Sequence, residues 1–347
     1  MRRIAFLLII ITFISCTRND KNDFEKHFID KTLRFNLIHT GNANSEKLSL
    51  DKVYDDGLWN GRTKNTVNPY RLGAYYYELR DVETDELLYS DCISTYFSEW
   101  RMTDEAKTKT KVFKESIRVP YPKNNATLTM YKIDSQDVIL PIWEYDINRN
   151  TRAAIEPTKN HNNRIIRLLD SGDPKEKVDI MILGDGYTSK ETNRFDKDAQ
   201  HFYEIFIETE LFKRRKNDFN VHAVQVPSSM SDKCILIDRN TFGHNKYALA
   251  IDEWKFREYA TQSPYDYAVI LINDTNNIGG SLYNNYSTVA MRSQSEDYII
   301  RHEIGHQIVG IADRYYSDET QDDTTCVSAY FYDFSELINN ILDLHTK

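Results

Sequence analysis

The residues best placed to do chemistry form one short run, His302-Glu303-Ile304-Gly305-His306. On an α-helix, at about 100° per residue, the two histidines fall about 40° apart on one face, where two imidazole nitrogens can reach the same zinc ion. Glu303 lies beside them and can take a proton from a water that the metal activates. In a chain with nine His, a chance H-E-x-x-H has a probability of only about 1–2%. The run is therefore read as a metal-binding helix, not as a helix with two surface histidines. Ser293-x-x-Glu296 is expected to cap its start, and Ile300, Ile304 and Ile308 supply an opposite face that anchors it to a core.

A catalytic zinc takes three protein ligands and keeps one position open. Gly310 permits a left-handed turn that swings the chain back, and Asp313 follows it. The spacing H-E-x-x-H-x-x-x-G-x-x-D is one residue longer than the metzincin H-E-x-x-H-x-x-G-x-x-H and ends in Asp instead of His. Asp313 is the expected third ligand. Its rivals are Asp318, Glu319, Asp322 and Asp323, which also suit a solvated acidic loop. Tyr315 and Tyr316 stand where a phenol can donate to an oxyanion or pack beneath the site.

The helix needs a sheet beneath it. Val178–Leu183, Asn220–Val226 and Tyr267–Ile272 are apolar, β-branched runs expected as strands. Between them, Thr188-x-x-Glu191 opens a helix that carries Phe195, Ala199, Phe202, Phe206 and Ile207 at helical spacing. These elements make an α/β unit over residues 165–347. Residues 31–150 differ in character, with short alternating runs such as Leu33–Ile38, Ala74–Leu79, Lys111–Ile117 and Ala126–Tyr131, broken by Asp56-Gly57 and Lys123–Asn125. Period-two alternation with turn signals reads as an antiparallel β-sandwich. A polar stretch near residues 148–164 separates the two.

The N-terminus carries Arg2-Arg3, an apolar run from Ile4 to Ile14, and Ser15-Cys16. That run is too short to span about 30 Å of hydrocarbon, so residues 1–15 are expected to be a lipoprotein signal peptide, with Cys16 lipidated and residues 16–30 a polar linker. The protein is then extracytoplasmic, lipid-anchored to the outer membrane or cell surface, or periplasmic. Cys92, Cys234 and Cys326 form no C-x-x-C pair and are assigned no chemistry. With 44 Lys+Arg against 53 Asp+Glu, the net charge is −9 and no basic cluster stands out, which argues against nucleic acid as a partner. Hydrophobic residues at 40% and charged residues at 28% exclude a disordered chain.

His302–His306 together with Gly310–Tyr315 resembles the signature of the bacterial IgA-peptidase family of secreted zinc metallopeptidases. Val178–Thr188 and Asn220–Ser228 are similar to two further family segments, and the all-β region to the N-terminal domain of members from gut bacteria. The resemblance implies His302, His306 and Asp313 as Zn2+ ligands and Glu303 as catalytic base; Arg314 stands where the family has Glu. It implies a multi-domain fold, an all-β sandwich followed by an α/β zincin-like metallopeptidase domain. In such peptidases a strand like Ser281–Ala290 lines the cleft and an extended substrate can pair with its edge. Peptide or protein substrates are implied, host glycoprotein or immunoglobulin among them. Only 41 residues follow His306 and none is Met, so a metzincin Met-turn is not expected, and the catalytic domain reads as a compact or C-terminally truncated variant. The competing reading is a non-catalytic surface-binding lipoprotein with an incomplete peptidase-like domain.

Overall fold

The computed structural model describes residues 20–134, 138–310 and 343. The expected signal peptide, Cys16, Cys326, Tyr315, Tyr316 and, but for residue 343, the tail from Ala329 expected as an amphipathic helix lie outside the described residues.

The first region opens with α1 (Asp20–His27) and runs through β1 (Phe28–Gly41), β2 (Glu46–Asp55), β3 (Tyr75–Asp81), β4 (Leu87–Ile93), β5 (Lys111–Pro122), β6 (Ala126–Ile133) and β7 (Ile139–Ile147), with α2 (Tyr96–Trp100) after β4. Strands β5, β1 and β2 pair antiparallel, and so do β4, β3, β6 and β7 in a second sheet. The two sheets share one core. Leu33, Phe35 and Leu37 of β1 and Ile117 and Val119 of β5 join Leu79, Leu128 and Met130 there, the inward half of the alternation seen in sequence.

Two details depart from the sequence reading. The linker expected to reach residue 30 ends earlier, because Phe24 on α1 and Phe28 at the start of β1 are buried in the sandwich core. Polar neighbours hide these two anchors in the sequence. The polar stretch after β7 is also structured: α3 (Arg149–Ala153) is followed by β8 (Glu156–Pro157), which adds to β2 in parallel.

The second region is built on a six-stranded mixed sheet. Its strands are β9 (Ile165–Asp170), β10 (Val178–Asp185), β11 (Phe219–Gln225), β14 (Tyr267–Ile272), β15 (Gly279–Leu282) and β16 (Tyr286–Ala290), in the order β15-β16-β14-β10-β11-β9. The central four are parallel, and the edge strands β15 and β9 run antiparallel to their neighbours. Unbroken apolar runs are what central parallel strands need, because both of their faces are covered.

On one face, α4 (Thr192–Glu208) lays Phe195, Ala199, Phe202 and Phe206 against the sheet next to α7 (Glu296–Ile304); α5 (Glu210–Arg214) follows α4. Each buried Phe contributes roughly 1.5–3 kcal/mol. On the other face lie α6 (Glu253–Ala260) and the small hairpin of β12 (Ile237–Asp238) and β13 (Leu249–Ala250). Asp185, at the end of β10, pins that hairpin by accepting the backbone N–H groups of Ile235 (2.9 Å), Leu236 (2.9 Å) and Ile237 (3.2 Å). Burial pushes its carboxyl above the usual range, against the pull of those donors.

The segment 281–290, expected as a single strand, is a hairpin: β15 and β16 joined by Tyr283-Asn284-Asn285. Asn284 sits at φ 52, a left-handed conformation that Asn tolerates better than most residues. Strand β5 of the sandwich lies along α6. Ser116 Oγ donates to Glu253 (2.6 Å), Trp254 Nε1 to the Glu115 carbonyl (2.8 Å), and Arg118 to the carbonyls of Tyr265 and Asp266 (3.1 Å each). Between them the buried pair Arg257–Glu253 (3.1 Å) is satisfied by Ser116 and Asn285.

Candidate metal centre

Helix α7 starts after Met291, which is fully buried at the end of β16. The cap differs from the one expected. Ser293 does not cap the helix; Ser295 takes the N-cap position, and the Glu296 carboxylate turns back to accept the Arg292 N–H and to meet His201 Nε2 at 2.8 Å. Two acids in the first turn, Glu296 and Asp297, still complement the positive end of the helix. Ile300, Ile304 and Ile308 are buried in the core, as the sequence pattern requires.

His302 and His306 are half-buried, and their Nε2 atoms stand 3.0 Å apart with the ring planes nearly perpendicular (87°). Two nitrogens each at about 2.0–2.1 Å from one tetrahedral zinc lie about 3.3 Å apart, so the pair needs to open by only a few tenths of an ångström to bind one ion. The donor set, two imidazole nitrogens, is one that suits zinc among other transition metals. The ring of Tyr298 stacks on His302 with centroids 5.4 Å apart and limits its swing. Glu303 is 9% exposed and lies against Gly279 on β15: a methyl group there would sit 2.7 Å from its Oε1. Glycine at 279 therefore makes room for the carboxylate.

Inside the motif, at Gly305, the helix changes pitch. Ser281 Oγ donates to the Glu303 carbonyl (2.6 Å), Ser287 Oγ lies 3.2 Å from the same oxygen, and the chain widens into a π-turn over Gly305–Val309. Side-chain donors inserted into the backbone ladder are a common companion of such turns. Gln307, fully buried, bridges this turn to the sheet: its Oε1 accepts from Ser287 Oγ (2.6 Å) and its Nε2 donates to the Ala268 carbonyl (2.9 Å). Gly310 ends the turn at φ 68, the left-handed residue expected there, with its N–H on the His306 carbonyl (3.1 Å). Asp313 and its rivals Asp318, Glu319, Asp322 and Asp323 lie outside the described residues. Among the described residues, no three His, Cys, Asp or Glu gather as a metal site. The histidine pair is therefore what the described chain brings together, while the Glu303 carboxylate lies against Gly279.

Sequence reasoning passed over Gln307, Ser281, Ser287 and Gly279. The signal was there, as hydroxyl and amide groups in a stretch that must sit in the interior. The substrate-binding edge expected here is partly covered: Gly279 donates its N–H to Lys246 O (3.1 Å) and accepts from Ala248 N (2.9 Å). Cys92 and Cys234 are free thiols; burial pushes both up to about 12, so neither is a nucleophile at neutral pH.

Compared with known proteins, residues 23–144 match the family model described as Peptidase M64 N-terminus, and residues 166–326 match the one described as IgA Peptidase M64. No curated protein matches the chain closely enough to serve as a relative. The first match covers the sandwich; the second runs from the edge strand β9 through the sheet, the histidine helix and the Gly310 turn. The two matches follow one another in family order over about four-fifths of the sequence, and on that ground the chain belongs to the IgA Peptidase M64 family.

Proposed function

We propose that the protein is a zinc-dependent endopeptidase of the cell envelope, its six-stranded sheet and α7 forming a zincin-like metallopeptidase domain. His302, His306 and Asp313 hold the metal, and Glu303 is the general base. The observation that carries this reading is the 3.0 Å approach of the two Nε2 atoms on one helix, within residues that match a peptidase family model. When bound, zinc supplies a Lewis acid that polarises the scissile carbonyl and makes a neighbouring water acidic.

The chain's own residues do the rest. Glu303 removes a proton from the attacking water and returns it to the departing amine. Its near-burial against Gly279 keeps that carboxylate in place, Gln307 ties the helix end to the sheet, and Tyr298 steadies the His302 ring. Location rests on the N-terminal pattern ending in Cys16, whose lipid would anchor the protein outside the cytoplasm. The family name makes immunoglobulin A one substrate to try, alongside other host glycoproteins.

The test uses purified protein, a mixed peptide library and metal analysis. The parent is expected to carry about one zinc and to cleave; Glu303→Gln keeps the zinc and loses hydrolysis by about 10²–10⁴-fold, the usual contribution of a positioned base. Retained hydrolysis in Glu303→Gln removes the assigned base. A metal-free parent, or a zinc-loaded parent that cleaves nothing, points instead to a surface-binding lipoprotein.

A further inference from the structure

The turn Tyr283-Asn284-Asn285 lies between the sandwich and the end of the histidine helix and is bonded to both. Toward the sandwich, Ser94 N donates to the Tyr283 carbonyl (3.0 Å), Asn284 Nδ2 to the Cys92 carbonyl (2.8 Å) and Asn285 Nδ2 to the Ser94 carbonyl (3.3 Å). Toward the helix, Asn284 N donates to the Gln307 carbonyl (2.8 Å), and Gln307 Nε2 lies 3.4 Å from the Asn285 carbonyl. The Gln307 carbonyl belongs to the last turn, where helix carbonyls need partners from outside.

Tyr283 completes the link. Its ring is held between two glycines in left-handed conformations, Gly73 of the sandwich (φ 81) and Gly310 after the histidines (φ 68). A methyl group on Gly73 would come within 2.9 Å of the ring, and one on Gly310 within 3.0 Å. Neither position accepts a larger residue without moving the ring.

We propose that Asn284 is a positioning residue through which the sandwich domain sets the place of His306 and the direction of the chain at Gly310. Its side chain holds the sandwich and its backbone holds the helix end, so a displacement of the sandwich is passed through it to the residue next to His306, with Tyr283 and Asn285 as flanking contacts. The proposal rests on the metal-site reading for its effect on zinc, but the mechanical coupling stands on the geometry alone. Metal ligands hold their affinity only within about 0.5 Å of the productive geometry, which is the tolerance this coupling protects.

Two full-length variants separate positioning from plain packing. Asn284→Gly keeps the positive φ and the N–H to Gln307 and deletes only the amide to Cys92. Asn284→Asp keeps the shape and places a carboxylate against the Cys92 carbonyl. In metal-free protein, amide exchange over residues 305–310 is expected to accelerate at least about 10-fold in both. Zinc affinity, read by chelator competition, is expected to fall about 10–100-fold, the range for residues that orient metal ligands. Turnover is expected to fall with KM nearly unchanged. Parental exchange and parental zinc affinity in both variants, with only a lower Tm, would overturn the proposal. Accelerated exchange in the variants of a parent that binds no zinc would support the coupling and remove the peptidase reading instead.

Discussion

Two histidine sites, one in each half of the molecule, are built on opposite principles. In the sandwich, His39 is fully buried, stacked on Phe97 with centroids 3.9 Å apart, and flanked by carboxylates: Nδ1 is 2.7 Å from Glu115 and Nε2 is 3.3 Å from Glu46. Those acids are engaged in turn, Glu115 by the Phe97 N–H, and Glu46 by Tyr75, Arg101 and Lys132. On α7 and the π-turn that continues it, by contrast, two half-buried imidazoles point their Nε2 atoms at each other. The first site closes a charge network inside a core. The second gathers lone pairs on a helix face that the core only supports. Histidine count or burial alone does not tell structural from chemical use; the direction of the ring nitrogens does.

Breaking each site in turn tests that contrast. His306→Ala has the largest expected effect: zinc affinity falls by more than about 100-fold, beyond what losing a supporting residue does, while the metal-free Tm changes little. Metal titration with thermal melts checks both halves of that statement. Glu115→Ala should do the reverse. It leaves a buried imidazole and the Phe97 N–H without their acceptor, and denaturant unfolding should register a loss of about 3–5 kcal/mol, with zinc affinity of the folded protein unchanged.

Gly279→Ala is expected next in size. The added methyl displaces the Glu303 carboxylate, and turnover should fall about 10²-fold at unchanged zinc content, as misplacement of a reacting group by about 1 Å can do. Equal turnover in this variant would mean the carboxylate is not held there during reaction.

The pH dependence of stability is the smallest effect, and it belongs to the sandwich. Burial works against the Glu46 charge, but the adjacent His39 ring, the Tyr75 hydroxyl and the charge of Arg101 outweigh it and hold the group at about 2, against 4.5 when unfolded. Its contribution is therefore present above pH 4.5 and is lost as pH falls toward 2. Burial also opposes the His39 charge, yet Glu115 and Glu46 raise it above 6.5; its contribution is present below pH 6.5 and is lost as pH rises through the raised value. Unfolding free energy from this pair should be greatest between about pH 4.5 and 6.5 and decline on both sides. A profile that stays flat below pH 4.5 and above pH 6.5 would show that the network carries no net charge preference.

Much of this was legible beforehand for a plain reason. Parallel central strands and a core-facing helix must be apolar in a fixed rhythm, so Val178–Leu183, Tyr267–Ile272 and the Phe195–Phe206 face declare themselves. The H-E-x-x-H spacing does the same for the histidine helix. Less legible were contacts that depend on partners far apart in sequence. Phe24 and Phe28 read as part of a linker until two sheets close over them. Asn284 and Asn285 read as mid-strand polar residues until the hairpin tip meets Cys92, Ser94 and Gln307.

Local chemistry alone determined which residues could bind metal, where the central strands and the two long core-facing helices lie, and that two regions of different character follow one another, because spacing along a helix or strand is set by backbone geometry. The tertiary structure alone decided that the helix widens after Glu303, that Gly279 makes room for the Glu303 carboxylate, and that the sandwich grips the turn beside His306. Those facts are distances between residues up to about two hundred positions apart, and no periodicity in a sequence encodes them.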